Sequence, residues 1–312
     1  MSDFVKLIAL IGLCFFTVAC AHDPSPSVVQ SNAIQVEAEE FTLEASNNRT
    51  VSMKLFYPAS GCQACTLIAF SHGANLSNDV YDVLIHDWVS RGFVVAAPLH
   101  VDSEVHPHRD DYGRENHVPL RIEDFEIMVS HIFGADFKNM EEISLSDQYI
   151  AAGHSFGALI AQIAGGASLS NISINLVRAP IALVAISPPG PVAGIIDPEA
   201  WSTISKPMLT ITGTQDILPF IAPKWQDHLV SYESAPEDLS LAVVFEGVDH
   251  YFNGAFGRID PEVESNKTIA ILNNIISQYI GQSLIGVQVP DMVFTEYDMD
   301  GVEILPLTEG DQ

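Results

Sequence analysis

The alternation of apolar and polar positions first marks an antiparallel pair. Glu39 to Leu43 and Val51 to Tyr57 alternate with period two around the polar turn Ala45-Ser46-Asn47-Asn48-Arg49. Beyond them the pattern changes to continuous apolar runs: Thr66 to Ser71, Phe93 to Pro98, Tyr149 to Ala152, Ile181 to Ile186, Met208 to Thr212 and Leu241 to Phe245. Such runs predict strands covered on both faces, as in a parallel sheet. Between them lie segments with helical spacing or composition, namely Val80 to Ser90, Leu120 to Phe133, Ala158 to Ala164 and Lys267 to Ile280. The reading is an α/β chain: a mostly parallel central sheet, an N-terminal antiparallel hairpin, and helices on both faces. No repeat or second core is visible, so one domain is expected over residues 33–281. An acidic, irregular tail is expected over 282–312.

Composition narrows the partners. The 312 residues carry 40 acidic against 13 basic side chains, a formal net charge of -27, which disfavours nucleic acid or anionic membrane surfaces. The hydrophobic fraction of 47% supplies a sizeable core, so the charge does not imply disorder.

The N-terminus has Lys6, then an apolar run from Leu7 to Val18 that is short for a membrane span and has the length of a signal-peptide core. Phe16-Thr17-Val18-Ala19-Cys20 resembles a bacterial lipobox. The expectation is a leader over 1–19, lipid on Cys20, a Pro- and Ser-rich tether over 20–32, and an exported, membrane-anchored product. A plain secretory signal and a retained anchor are the alternatives. Of the four cysteines, Cys14 would leave with the leader. Cys62 and Cys65 would then form a local disulfide ahead of a strand, with no second pair to complete a four-cysteine zinc site.

The chemistry centres on Gly153-His154-Ser155-Phe156-Gly157, placed between a buried strand and a helix. That context projects a serine hydroxyl from a sharp turn. Acyl transfer by serine also needs a base, a carboxylate to orient it, and donors for the oxyanion. Asp216 follows the run Met208 to Thr212, with Asp197 and Asp227 as rivals, and His250 follows Leu241 to Phe245. His72 reads as a loop-ordering residue. The backbone N–H groups of Ala74 and Phe156 are the expected oxyanion donors. No cofactor or metal is expected: the His- and Asp-rich loop His100 to His117 reads as a polar wall over the site. Asp298-Met299-Asp300-Gly301 lacks most ligands of a calcium loop.

Ser71-His72-Gly73-Ala74-Asn75, Ser90-Arg91-Gly92-Phe93-Val94-Val95-Ala96-Ala97-Pro98, Gly153-His154-Ser155-Phe156-Gly157-Ala158 and Asp249-His250 together resemble the α/β-hydrolase superfamily over roughly residues 50–280. The nearest branch is that of dienelactone-hydrolase-like, chlorophyllase-like and platelet-activating-factor acetylhydrolase-like proteins. The resemblance implies an α/β-hydrolase fold and a serine ester hydrolase. A dienelactone hydrolase proper would use cysteine where this chain has Ser155. Only Ser187 to Lys206 separates two strands where larger members insert a lid, and Pro188-Pro189-Gly190-Pro191 breaks it, so no large cap is expected. An open site suits short-acyl or soluble esters, with Phe156, Trp201, Ile217, Leu218 and Phe252 expected around the acyl group. The alternatives are an acyltransferase on the same residues and a surface-anchored binding protein without chemistry.

Overall fold

The structure, a computed structural model, describes residues 34–134, 137, 140, 142–169, 172–257, 263–295 and 300–305. The expected leader, Cys20 and the tether lie outside the described residues. The alternating segments form β1 (Val36–Glu44) and β2 (Thr50–Pro58), paired antiparallel in register from Val36 with Pro58 to Glu44 with Thr50. β3 (Cys62–Ser71), α1 (Asp82–Ser90), β4 (Val94–Pro98), α2 (His117–Ile132), β5 (Ile143–His154) and α3 (Phe156–Ala164) follow. The chain continues through β6 (Ala182–Ile186), β7 (Met208–Gln215), α4 (Val230–Ser234), β8 (Ser240–Asp249), α5 (Val263–Leu284) and β9 (Val302–Leu305).

Among the described residues the nine strands join one sheet in the order β1-β2-β4-β3-β5-β6-β7-β8-β9. The block from β4 to β8 is parallel, flanked by antiparallel β2 on one side and antiparallel β9 on the other. Each parallel strand feeds alternate side chains to opposite faces, which is why its sequence reads as uniformly apolar. Leu67, Ala69, Tyr149 and Ala151 join α2 and α3 through Ile122, Phe125, Leu159 and Ile160. Ile68, Phe70, Ile150 and Ala152 join α1 and α5 through Leu84, Trp88, Leu272 and Ile276.

Two boundaries differ from the sequence reading. The segment after residue 281 is not merely a tail: α5 runs on to Leu284, and Val302–Leu305 pairs with Phe245–Ala242 to close the sheet edge. Backbone hydrogen bonding to the β8 edge forms this four-residue strand, and Val302, Ile304 and Leu305 pack half-buried against the core beneath it. Cys62 and Cys65 do not precede a strand but open β3, with Cα atoms 6.0 Å apart. No described helix is long and apolar enough to cross a membrane.

Candidate active site

The carboxyl ends of β3, β5, β7 and β8 meet at one edge, and the candidate residues stand on the loops that leave them. Ser155 takes φ 53° and ψ -120° between β5 and α3, a strained conformation for a residue with a side chain. The flanking glycines make that turn possible. A Cβ on Gly153 would lie 2.2 Å from the Gly157 carbonyl oxygen, and one on Gly157 would lie 1.9 Å from that of Ser71. Strand and helix backbones therefore approach more closely than any other residue allows.

His250 arrives from the end of β8. Asp249 holds the turn by accepting backbone N–H bonds from Tyr251 at 3.0 Å and Asn253 at 2.7 Å. The imidazole Nε2 stands 2.9 Å from Ser155 Oγ, and Nδ1 stands 2.7 Å from Asp216 Oδ1. A carboxylate only accepts, so Nδ1 carries the proton and Nε2 presents its lone pair to the serine hydroxyl. Asp216 is buried, and Thr212 Oγ1 donates to its Oδ2 at 2.9 Å. Burial alone would raise this carboxyl's pKa, but its contacts with His228 and His250 hold it well below the usual carboxylate range.

His228, which no spacing in the sequence singles out, brings a second imidazole to Asp216, with Nε2 2.9 Å from the same Oδ1. The three side chains converge within 4.8 Å, a spacing that would admit a metal ion among the described residues. Asp216 Oδ1 takes the hydrogen bond with His250 Nδ1, and the His228 ring lies beside it.

The loop after β3 is held from beneath. Arg121, on the buried face of α2, donates to the carbonyl oxygens of His72 at 2.6 Å and Gly73 at 3.0 Å, and pairs with Asp102 through Nε at 2.7 Å. Burial would raise Asp102, yet the Arg121 guanidinium holds it well below the usual range. His72 Nε2 accepts the His100 N–H at 3.0 Å, and burial keeps both imidazoles neutral by lowering their pKa. A second chain joins this loop to His250: Gly73 N–H donates to Tyr81 Oη at 2.9 Å, and Tyr81 donates to His154 Nδ1 at 2.8 Å. His154 Nε2–H donates in turn to the His250 carbonyl at 2.8 Å, and burial pushes this imidazole down to about 3.

The N–H groups of Ala74 and Phe156 donate to no acceptor among the described residues. Both residues border a small apolar cavity of about 140 Å³ beside Ser155, lined also by Leu159, Pro189, Val192 and Leu218. A larger cavity of about 670 Å³ adjoins it across Phe156, Ile195 and Ile221, with Arg109, Tyr112 and Arg114 on its far wall. Part of the loop His100 to His117 thus does overhang the site. Three expected pocket residues line neither cavity. Trp201 is fully buried in the core with Nε1 2.8 Å from Gln162 Oε1, and Phe252 is fully buried between Phe245 and Phe256. Burying these large rings is worth more than exposing them at a cleft. Ile217 stands 47% exposed and lines neither cavity.

Solved structures match this arrangement at low sequence identity. A ferulic acid esterase from Streptomyces cinnamoneus superposes with a TM-score of 0.61 and 16% identity, covering 88% of this chain and 97% of its own. The chain has the α/β-hydrolase fold. The same fold relates it to an esterase from Thermogutta terrifontis, also solved phosphorylated by paraoxon, at a TM-score of 0.56 and 17% identity over 81% of this chain and 96% of that one. A putative dienelactone hydrolase from Klebsiella pneumoniae gives 0.53 and 14% over 76% and 96%. No family model and no curated protein matches the sequence. Along the chain the three residues in contact run in the order Ser155, Asp216, His250.

Proposed function

We propose that this chain is a serine hydrolase of carboxylic esters with a preference for short acyl groups. The observation that carries the reading is the continuous contact Ser155 Oγ, His250 Nε2, His250 Nδ1, Asp216 Oδ1, at 2.9 and 2.7 Å. Esterases among the structures of the same fold support it. In acylation His250 Nε2 takes the Ser155 proton as Oγ bonds to the ester carbonyl carbon, and the Ala74 and Phe156 N–H groups receive the negative oxygen. The tetrahedral adduct collapses as His250 returns that proton to the leaving alcohol, giving an acyl-serine. Water, deprotonated by the same imidazole, then releases the acid and restores Ser155.

The apolar cavity of about 140 Å³ takes an acyl chain of a few carbons, and the larger cavity of about 670 Å³ takes the alcohol portion. Nitrophenyl acetate and butyrate should therefore be cleaved with kcat/KM at least about tenfold above that for the decanoate, a methylene without room costing about 1 kcal/mol or more. Equal turnover across the series, or turnover that survives Ser155→Ala, overturns the proposal. We also propose export with removal of residues 1–19, a lipid on Cys20, and a Cys62 to Cys65 disulfide. The intact mass of the mature protein, before and after reduction, reads all three features.

A further inference from the structure

His228 lies in the short turn Trp225–Leu229, fully buried, and both of its ring nitrogens face oxygen atoms that have no proton to give. Nδ1 is 2.6 Å from the carbonyl oxygen of Pro188, and Nε2 is 2.9 Å from Asp216 Oδ1. A neutral imidazole has one N–H and one lone pair. An Nδ1 without its proton would direct a lone pair at the Pro188 carbonyl oxygen, and an Nε2 without one would leave two electron-rich atoms 2.9 Å apart. Protonation of both nitrogens removes the conflict and leaves a cation against the Asp216 carboxylate. The Nε2–H direction is off the line of a good hydrogen bond to Oδ1, so charge, more than a directed bond, holds the pair.

This inference rests on the reading of Ser155, His250 and Asp216 as the catalytic relay. We propose that His228 is a positioning residue carried as an imidazolium, which neutralises Asp216 in the resting enzyme and opposes protonation of His250. The base then stays free, and the enzyme active, to lower pH than Asp216 alone would allow. Its proton affinity is consistent: burial would strip the proton, but contact with Asp216 raises the His228 pKa above the ordinary value. The groups facing it are few. They are Asp216 beyond β7, His250 beyond β8, the neutral His154 at the end of β5, and Asp227 on its own turn, whose Oδ2 accepts the Lys224 N–H at 2.8 Å. The His228 and His250 rings stand 5.7 Å apart. With an effective dielectric of about 20, like charges at that distance shift a titration by about two pH units, and an open cleft reduces this to about one.

The test is the pH profile of kcat/KM for nitrophenyl acetate in wild type and His228→Gln. The acid-side midpoint should rise by about one pH unit in the variant, a tenfold loss of relative rate well below it, with His228→Arg returning it toward wild type. An unmoved midpoint in a folded variant overturns the proposal. Nitrogen NMR of the intact wild type gives a reading independent of activity and of the variants' folding. Two protonated ring nitrogens on His228 at pH 7 support the assignment, and one unprotonated nitrogen overturns it. Activity persisting in Ser155→Ala would instead remove the catalytic reading while leaving the NMR result to stand.

Discussion

Replacing Asp216 with Asn keeps the volume of the side chain and removes one charge at the point where two imidazoles meet. The carboxylate is buried, with Oδ1 2.7 Å from His250 Nδ1 and 2.9 Å from His228 Nε2, and Oδ2 bonded to Thr212. At an effective dielectric of about 20, unit charges about 4 Å apart attract by about 4 kcal/mol. Losing that much stabilisation of the His250 imidazolium formed during acylation slows the reaction about 10³-fold. An amide NH2 turned toward Nδ1 would also favour the wrong tautomer, a change worth about 10⁴ in serine-hydrolase relays. The expected result is a kcat lower by about 10³ to 10⁴ with KM little changed.

Stability should respond as well, and with a defined sign. The His228 pKa is raised in the folded protein, so its contribution is full below the unfolded value of about 6.5 and fades as pH rises through the higher folded value. The Asp216 pKa is depressed, so its contribution is present above about 3.9 and is lost only as pH falls toward the folded value. Removing one partner of a buried pair costs about 3–5 kcal/mol. Asp216→Asn should therefore be most destabilising near pH 5, where His228 keeps its charge, and less so at pH 9, where it can shed it. Steady-state kinetics and urea unfolding at both pH values measure this. A kcat within tenfold of wild type, or a destabilisation that ignores pH, would refute the reasoning.

Three further outcomes follow from particular contacts. Gly157→Ala sets a Cβ 1.9 Å from the Ser71 carbonyl oxygen, so denaturant unfolding should register a loss of about 3 kcal/mol, the upper end of ordinary overpacking. Arg121→Met strands the buried Asp102 carboxylate and releases the His72 and Gly73 carbonyls. A loss of about 3–5 kcal/mol in urea unfolding and a fall in kcat at nearly constant KM are expected. Replacing Cys62 and Cys65 by Ser opens a loop of sequence separation 3 far from Ser155, so stability should fall by about 2 kcal/mol or less while kcat holds.

The sheet was readable because a parallel strand buried on both faces must be apolar throughout, as in Ile181 to Ile186 and Leu241 to Phe245. Ser155, Asp216 and His250 were visible for a related reason: each directly follows such a run, at the edge where strands end together. β9 was not visible, because Val302–Leu305 is short, carries Glu303, and owes its conformation to the open edge of β8 rather than to its own pattern. Phe252 lies two residues beyond His250 and Trp201 lies between β6 and β7, but loop direction decides whether an aromatic ring faces the cleft or the core, and sequence does not encode that simply. Arg121 did leave a trace, as a charge on the apolar stripe Val118, Ile122 and Phe125. His228 left none, since its role depends on a turn that returns to Asp216 from outside any regular element.

The central claim is that Ser155 is a nucleophile activated by His250. Treatment with a fluorophosphonate probe, followed by mass mapping of the adduct, tests it most directly. One adduct on the peptide containing Ser155, absent in Ser155→Ala and slowed by about 10³ or more in His250→Ala, is the predicted result. Labelling elsewhere, labelling that survives Ser155→Ala, or a rate indifferent to His250 would contradict it.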